Sequence, residues 1–253
     1  MSTNRVEYLF DYFTLTNYKS LLELALEKGF CFIVFTDNFL ADRKDILWRH
    51  DVEFSPDIAL KMAQIEHDLG VKATYFFQIH SEFYNIFDCY FSDILKKIKL
   101  LGHEVGLHFD AHYYGVKTEN ELTRFIELDK NYFEQVFDCH LSVFSFHNTN
   151  SFILKCEDYE YGGLVNVYSK YFKERFRYCA DSTGYWRYEV LDELLKDSSV
   201  RHLQVLTHDA MWSTEVLSPR KRVMKSIQDN ADRIKRQYDD LLPMLGAKNI
   251  DDE

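Results

Sequence analysis

Proline and glycine are scarce in this sequence, with 3 prolines and 9 glycines among 253 residues. No stretch rich in proline, glycine or serine, no low-complexity tract and no internal repeat interrupts the chain. Because domain boundaries usually fall in such linkers, we predict a single domain over residues 1–253. With 46% hydrophobic and 16% aromatic residues, the chain can fill a large core.

The sequence also lacks any Cys-x-x-Cys pair. Its five cysteines are an odd number and widely spaced: Cys31, Cys89, Cys139, Cys156 and Cys179. This pattern disfavours a disulfide framework or a zinc ribbon. We therefore predict buried, reduced thiols in a cytoplasmic protein.

The sequence also has no excess of basic charge and no long apolar run. The formal net charge of −11 argues against a nucleic-acid partner or an anionic membrane surface, since both select basic patches. No apolar run is long enough to span a membrane. The segment from Met1 to Glu7 has no signal-peptide features, which again predicts a cytoplasmic location.

What the chain does have is an alternation of strand-like and helix-like segments. The predicted strands are Phe30–Phe35, Leu47–Phe54, Val71–Ile79, His103–Asp110, Leu141–His147 and Val200–Thr207, and the predicted helices are Asn17–Lys28, Pro56–Leu69, Cys89–Leu101, Thr118–Phe137, Val190–Leu195 and Pro219–Leu242. Between Asn148 and Tyr178 the pattern is weak. The alternation predicts an α/β fold with parallel strands, closed or nearly closed into a barrel.

The strand from Leu47 to Phe54 ends in two acids, Asp51 and Glu53. Side chains two residues apart on a strand point to the same face. Ser55 and Pro56 then give a helix-start signal. The acids could serve chemistry at the strand end or stabilise the dipole of the following helix. Arg49 and His50 could pack or form ion pairs, and the sequence does not decide.

Histidines follow three later strands. They are His108 and His112 after one strand, His147 after the next and His208 after the last. Because parallel strands end at one face of the sheet, these side chains can meet the acids. Two imidazoles and one carboxylate form a metal site with open positions, although a close pair of histidines can also be unrelated surface or core residues.

Two further segments carry residues suited to a pocket. The loop from Asp181 to Arg187 contains an acid, Trp186 and an arginine, and it could equally be an ordinary turn with a buried tryptophan. His208 could be a hydrogen-bonded core residue, but Asp209 and Trp212 beyond it suggest a pocket rim.

In this order, four segments resemble the polysaccharide deacetylase family, carbohydrate esterase family 4. They are Arg49 to Ser55, Gly102 to His112, Asp181 to Arg187, and Leu206 to His208. The most specific of them is Gly-His-Glu-Val-Gly-x-His-x-x-x-His. The resemblance implies a distorted (β/α) barrel of about seven units and a metal-dependent amide hydrolase.

The resemblance also implies roles for individual residues. Asp51 would be the general base, His208 the general acid, and Asp181 with Arg187 would orient the acid and base. Glu53, His108 and His112 would hold a divalent metal ion, with zinc the first expectation and cobalt, nickel or manganese as alternatives. His147, Trp186 and Trp212 are the expected substrate contacts.

The sequence departs from the family pattern at three points. Glu53 stands where the family usually has aspartate, and Val52 separates two acids that are adjacent in many members. The segment from Ser145 to Asn150 replaces the usual Arg-x-Pro-Tyr element. We expect His147 to take over a substrate-binding or base-orienting role there.

The expected substrate is an N-acylated amino sugar, of the kind used in surface polysaccharide synthesis. Two alternatives stay open: hydrolysis of a small non-sugar amide, and a barrel that has lost catalysis and serves as a binding module. The oligomeric state is open too.

Overall fold

The computed structural model describes residues 9–251, so the segment from Met1 to Glu7 lies outside the described residues. The strands are β1 (Phe30–Ile33), β2 (Lys44–Val52), β3 (Thr74–Phe77), β4 (Glu104–Phe109), β5 (Val143–Phe146), β6 (Glu160–Tyr161), β7 (Leu164–Asn166), β8 (Arg177–Ala180) and β9 (His202–His208). The helices are α1 (Leu15–Glu27), α2 (Pro56–Asp68), α3 (Cys89–Leu100), α4 (Glu119–Phe137), α5 (Lys170–Arg175), α6 (Leu191–Lys196) and α7 (Pro219–Met244).

The strands form one curled sheet in the order β6-β7-β5-β4-β3-β2-β9-β8, with β1 paired to the first half of β2. All neighbours are parallel except β6 and β7. Seven parallel strands therefore run from β7 to β8, and helices flank them as a half-barrel. The predicted α/β fold with a distorted barrel of parallel strands is confirmed. That the whole of residues 1–253 is a single domain stays a prediction.

The antiparallel hairpin of β6 and β7 lies where the sequence pattern is weak. Gly162 and Gly163, which connect the two strands, have φ angles of 57° and 75°. Two consecutive residues with positive φ are typical of the tight turn that suits a two-residue hairpin, and glycine adopts them without strain. The mixed periodicity of this stretch thus comes from short strands and a turn rather than from a regular element.

The alternation of β2 separates two environments. Leu47 packs in a smaller apolar cluster with Phe76 and Val143, on the face that also carries Arg49 and Asp51. Trp48 belongs to the larger core on the helix-covered face. The sheet thus turns its chemistry-bearing residues toward the inside of the half-barrel.

Helix α2 starts where the sequence predicts. Ser55 caps it by accepting a hydrogen bond from the backbone N–H of Ile58 at 3.4 Å, and Pro56 occupies the first turn. Since this cap follows β2 directly, the start of α2 fixes the short loop that carries Glu53.

The cysteine prediction is partly wrong. All five cysteines are free thiols, as predicted, and Cys156 and Cys179 are buried. Cys31 and Cys89 are exposed, because one lies on the four-residue strand β1, which pairs only with β2, and the other opens helix α3. Among residues 9–251, no helix combines the length and the apolar character that a membrane crossing requires.

Candidate metal centre and catalytic site

Strand register brings the acids of β2 next to the histidine of β9. Asp51 is the direct partner of His208 in the parallel pair of β2 and β9. Asp51 is buried, while Glu53, two residues further on, is partly exposed. The predicted convergence of these strand ends therefore exists, with the candidate base and the candidate acid on neighbouring strands.

Glu53, His108 and His147 form a compact group of ligand-type side chains. The Oε1 atom of Glu53 lies 3.0 Å from Nε2 of His108 and 2.8 Å from Nδ1 of His147. The two imidazole nitrogens are 3.2 Å apart. One donor atom from each residue thus lies within 4.8 Å of the others, which suits a shared cation.

Ser145 decides which nitrogen of His108 faces this group. Its Oγ donates to Oδ1 of Asp51 at 3.1 Å, so the same Oγ accepts from Nδ1–H of His108 at 2.7 Å. The neutral His108 ring then carries its lone pair on Nε2, toward Glu53. An imidazole whose other nitrogen is held in this way is the usual arrangement of a metal ligand.

The electrostatics of the group are those of an anion held by imidazoles. Burial favours a higher pKa for Glu53, but hydrogen bonds from His108 and His147 hold it well below its ordinary value. Burial opposes a charged His147, while the hydrogen bond and the charge of Glu53 raise its pKa above the ordinary value. A proton shared among these atoms makes their contact favourable, and a divalent cation bound there would take the place of that proton. The donor set therefore fits a divalent metal ion.

The positions of His147 and His112 differ from those that their predicted roles imply. His147, expected as a substrate contact, lies among the ligand-type atoms. His112, expected as a ligand, is exposed, and its Nε2 lies 2.6 Å from the backbone oxygen of Asn148. Because Asn148 also contacts His147 at 2.7 Å, His112 sits beside the group. Metal binding by His112 stays a prediction.

Arg49 neutralises the environment of Asp51. The side chain is fully buried, its Nη2 lies 3.8 Å from Oδ2 of Asp51, and it donates to the hydroxyl of Tyr168 at 3.1 Å. Burial alone would lower the pKa of Arg49, but the charge of Asp51 raises it above its ordinary value. The sequence left open whether Arg49 packs or forms an ion pair, and the structure shows an ion pair with Asp51 on the inner face. The sequence signal for this pair is the two-residue spacing between Arg49 and Asp51.

His50, on the opposite face of β2, is far from this chemistry. Its Nε2 lies 2.7 Å from Oε1 of the buried Glu66, and Thr207 lies 2.7 Å from its Nδ1. Tyr18 and Tyr75 also donate to Glu66. His50 therefore belongs to a buried polar network under α2.

His208 is held in place by Asp181, while their roles as general acid and orienting group stay predictions. Its Nδ1–H donates to Oδ1 of Asp181 at 2.6 Å, and its backbone N–H donates to Oδ2 at 2.9 Å. Burial opposes protonation, but the charge and hydrogen bond of Asp181 raise the pKa of His208 to about 10. The ring is therefore protonated at neutral pH, as a proton donor must be.

The two tryptophans lie behind this pair. Trp212 is buried and donates from Nε1 to Oδ2 of Asp181 at 2.9 Å. Trp186 is also buried, with its ring centre 6.2 Å from that of Trp212 and 5.4 Å from that of Phe13. Their predicted substrate contact stays a prediction, and Trp212 in this structure orients Asp181. Arg187 lines the cavity described below.

Asp209 holds the loop that carries Glu53, a contact that the sequence did not reveal. Its buried carboxylate accepts hydrogen bonds from the backbone N–H groups of Glu53 at 3.0 Å, of Phe54 at 3.1 and 3.3 Å, and of Ser55. Burial raises the pKa of Asp209 to about 6 against the lowering effect of these donors. Because Asp209 directly follows His208, its carboxylate links the loop that carries Glu53 to the end of β9.

Two cavities meet at this site. One of about 800 Å³ is lined by Asp51, His208 and Arg187, together with Tyr168 and Tyr178. The other, of about 660 Å³, is lined by polar and aromatic side chains that include His80, Glu82, Phe83, Asp110 and Tyr113. Glu53, Phe54, His112 and Asn148 border both. The cluster with Glu53 thus stands between two spaces that can hold substrate.

No protein-family model matches the sequence, and no curated protein matches it. Among solved structures, a family 4 carbohydrate esterase from Bacillus anthracis is 16% identical, with 84% of this chain and 85% of that chain covered and a TM-score of 0.44. The Streptococcus pyogenes deacetylase PplD in complex with acetate is 11% identical, with 83% and 85% covered and a TM-score of 0.42.

A third similar structure is a family 4 pseudoenzyme from Bacillus anthracis, 13% identical, with 75% of this chain and 63% of that chain covered and a TM-score of 0.43. The structural neighbours thus include members of the family that the sequence motifs resemble. At these identities and TM-scores the likeness is distant, and the chemistry of this chain has to rest on its own side chains.

Proposed function

We propose that the chain is a metal-dependent hydrolase that removes an N-acetyl group from an amino sugar. The observation that carries this proposal is the contact of Glu53, His108 and His147 beside Asp51, with His208 paired in register to Asp51. A ligand group, a separate carboxylate and a protonated imidazole are the parts that hydrolysis of an amide requires.

Glu53, His108 and His147 would hold the metal ion, with zinc our first choice because two imidazoles and one carboxylate suit it. When bound, such an ion activates water and stabilises negative charge on the acyl oxygen. Ser145 keeps Nε2 of His108 free for this task.

Asp51 is the proposed general base. It accepts a proton from the attacking water as the new bond between oxygen and the acyl carbon forms. Nη2 of Arg49 lies 3.8 Å from one carboxylate oxygen of Asp51, and Ser145 donates to the other at 3.1 Å. Asp51 also lines the cavity of about 800 Å³, where a substrate would lie.

His208 is the proposed general acid. An amine leaves poorly unless it is protonated, so a proton donor is needed as the carbon–nitrogen bond breaks. Asp181 keeps His208 protonated on Nδ1 and leaves Nε2–H to be donated. The products are the free carboxylic acid and the amine.

The cavity walls support a sugar as the substrate. A space of about 800 Å³ accommodates one or two sugar units. Tyr168, Tyr178, Thr149 and Arg187 border it, and their hydroxyl and guanidinium groups are suited to sugar hydroxyls. The five free thiols support a reducing compartment, and hence a cytoplasmic substrate.

The test is to measure zinc binding and acetate release by the same protein. Metal-stripped protein is titrated with zinc by calorimetry, and acetate is then measured with N-acetylglucosamine oligomers and with small acetylated amines. We expect one zinc ion per chain and acetate from the sugar. A protein that binds no divalent metal, or that binds it and releases no acetate from the sugar, contradicts the proposal.

Substitutions distinguish the proposed ligand set, which includes His147, from the set predicted from the sequence, which includes His112. His108→Ala and His147→Ala should lose zinc binding, whereas His112→Ala should keep it. His140→Ala, on an exposed histidine outside the site, is the matched control. Loss of zinc in His112→Ala, with binding kept in His147→Ala, would favour the ligand set predicted from the sequence. Asp51→Asn should bind zinc but release no acetate.

A further inference from the structure

Helix α7 is attached to the barrel by polar side chains. Arg222 is buried and donates to two backbone oxygens at 3.1 and 2.9 Å. About two turns further along the helix, Asn230 donates to a third backbone oxygen at 3.2 Å, and Arg233 lies 3.5 Å from Asp88. Val223 also packs against the core, but most of the larger apolar side chains of α7 are exposed, whereas a surface helix ordinarily packs its apolar side on the body of the protein.

The apolar side chains of α7 form a separate stripe, which we call the α7 stripe. It consists of Met224, Ile227, Ala231, Ile234, Tyr238 and Leu241. The successive spacings of three, four, three, four and three residues are those of the core positions of a coiled coil. The five larger side chains are 41% to 58% exposed, and Ala231 is partly buried. The stripe thus lies open to solvent over about 27 Å of helix.

The charges of α7 differ between its two ends. Arg220, Lys221 and Lys225 lie in its first two turns, while Asp239 and Asp240 lie near its end. Two such helices side by side in the same direction would place like charges together. In opposite directions, the basic start of one helix meets the acidic end of the other, which is favourable.

We infer that the α7 stripe binds the α7 stripe of a second copy of this chain, with the two helices antiparallel. A two-fold axis would pass between Ala231 and Ile234. Aligned in this way, Ala231 faces Ile234 of the other copy, Ile227 faces Tyr238, and Met224 faces Leu241. The small residue lies at the centre, where the helices approach most closely.

The same alignment explains the charged edge of the stripe. Lys225 of one copy comes level with Asp239 of the other, within one residue. Within the single chain, among residues 9–251, Lys225 pairs with the exposed Asp229 at 3.4 Å, four residues further along the helix. A two-fold symmetric dimer contains the contact between Lys225 and Asp239 twice.

The test is the molar mass of the full chain in solution, measured by sedimentation over a range of concentrations. We expect a dimer. Ile234→Glu should weaken it on the order of 100-fold or more, because the dimer would bury two unpaired charges at its centre. Leu100→Glu replaces an apolar residue that is 85% exposed on α3 and should leave the dimer unchanged. The circular dichroism spectrum verifies that each variant is folded.

Charge reversal tests the direction of the helices. Lys225→Asp and Asp239→Lys should each weaken the dimer about fivefold to tenfold, and the double variant should regain the original affinity. A monomer at all concentrations, a dimer that Ile234→Glu does not weaken, or a double variant that does not recover would each overturn the inference. None of these outcomes depends on metal binding or hydrolysis.

Discussion

Replacing Asp181 by asparagine should move the proton-donating range of His208 to lower pH. The ordinary pKa of a histidine side chain is 6.5. In the folded protein the pKa of His208 is raised to about 10, because the charge and hydrogen bond of Asp181 outweigh the lowering effect of burial. This difference of 3.5 pH units corresponds to an energy on the order of 5 kcal/mol at 1.36 kcal/mol per unit.

The oxygen of an asparagine at this position can still accept the hydrogen bond from Nδ1–H, while its uncharged NH2 group replaces the oxygen that accepts from the His208 backbone and from Trp212. The charges of Glu53 and Asp51 remain, so part of the raised pKa is kept. We therefore expect Asp181→Asn to lower the pKa of His208 by roughly 2 pH units. A bound cation lowers the pKa of His208 in both proteins, so the difference between the two is the quantity to measure.

The assay is acetate release against pH with the zinc-loaded protein. The alkaline limb of the profile, where His208 loses its proton, should move down by that amount in Asp181→Asn. Trp212→Phe is the matched control, because it removes a hydrogen bond to the same carboxylate and keeps the charge. An alkaline limb that stays in place in a folded Asp181→Asn protein would refute the role assigned to Asp181.

The same contact predicts how stability depends on pH. Because the pKa of His208 is higher in the folded than in the unfolded state, the stability from its protonated form is fully present below about pH 6.5. It is lost as the pH rises through about 10. Urea unfolding of the wild-type protein should therefore show a decline in stability over this range, and in Asp181→Asn the decline should be smaller and end at lower pH.

Three further substitutions test residues that hold the site in place. Asp209→Ala should lower the free energy of unfolding by about 3 kcal/mol in urea titrations, because it leaves buried N–H groups of the Glu53 loop without an acceptor. A loss under 1 kcal/mol would count against the clamp. Ser145→Ala should weaken zinc binding by about 10-fold to 100-fold in calorimetry, because Nδ1–H of His108 loses its partner. Unchanged affinity would show that Ser145 does not orient the ring. Gly106→Ala should lower the melting temperature, since a Cβ atom would lie 2.5 Å from the ring of Phe76 and cost about 1 to 3 kcal/mol.

The sequence alone determined six of the seven α-helices of the described residues, most strands and the class of fold; the short helix α5 lies in the stretch where the pattern is weak. The alternation of apolar segments, the glycines after helices and the Ser-Pro start of α2 are local signals, and local physics acts on them directly. The pairing of acids and histidines with strand ends was also readable, because parallel strands all end on one face. Asp51 and His208 could be proposed as neighbours for that reason, whereas Asp181 was assigned to them only through the resemblance to the polysaccharide deacetylase family.

What only the tertiary structure decided is which side chains touch. His147 lies with Glu53 and His108 because β5 pairs beside β4, and no spacing along the chain reports that contact. Asp209 reaches the Glu53 loop across 156 residues of sequence. Contacts of this kind depend on sheet register and on the direction of each side chain, and these are set by packing of the whole molecule rather than by local sequence.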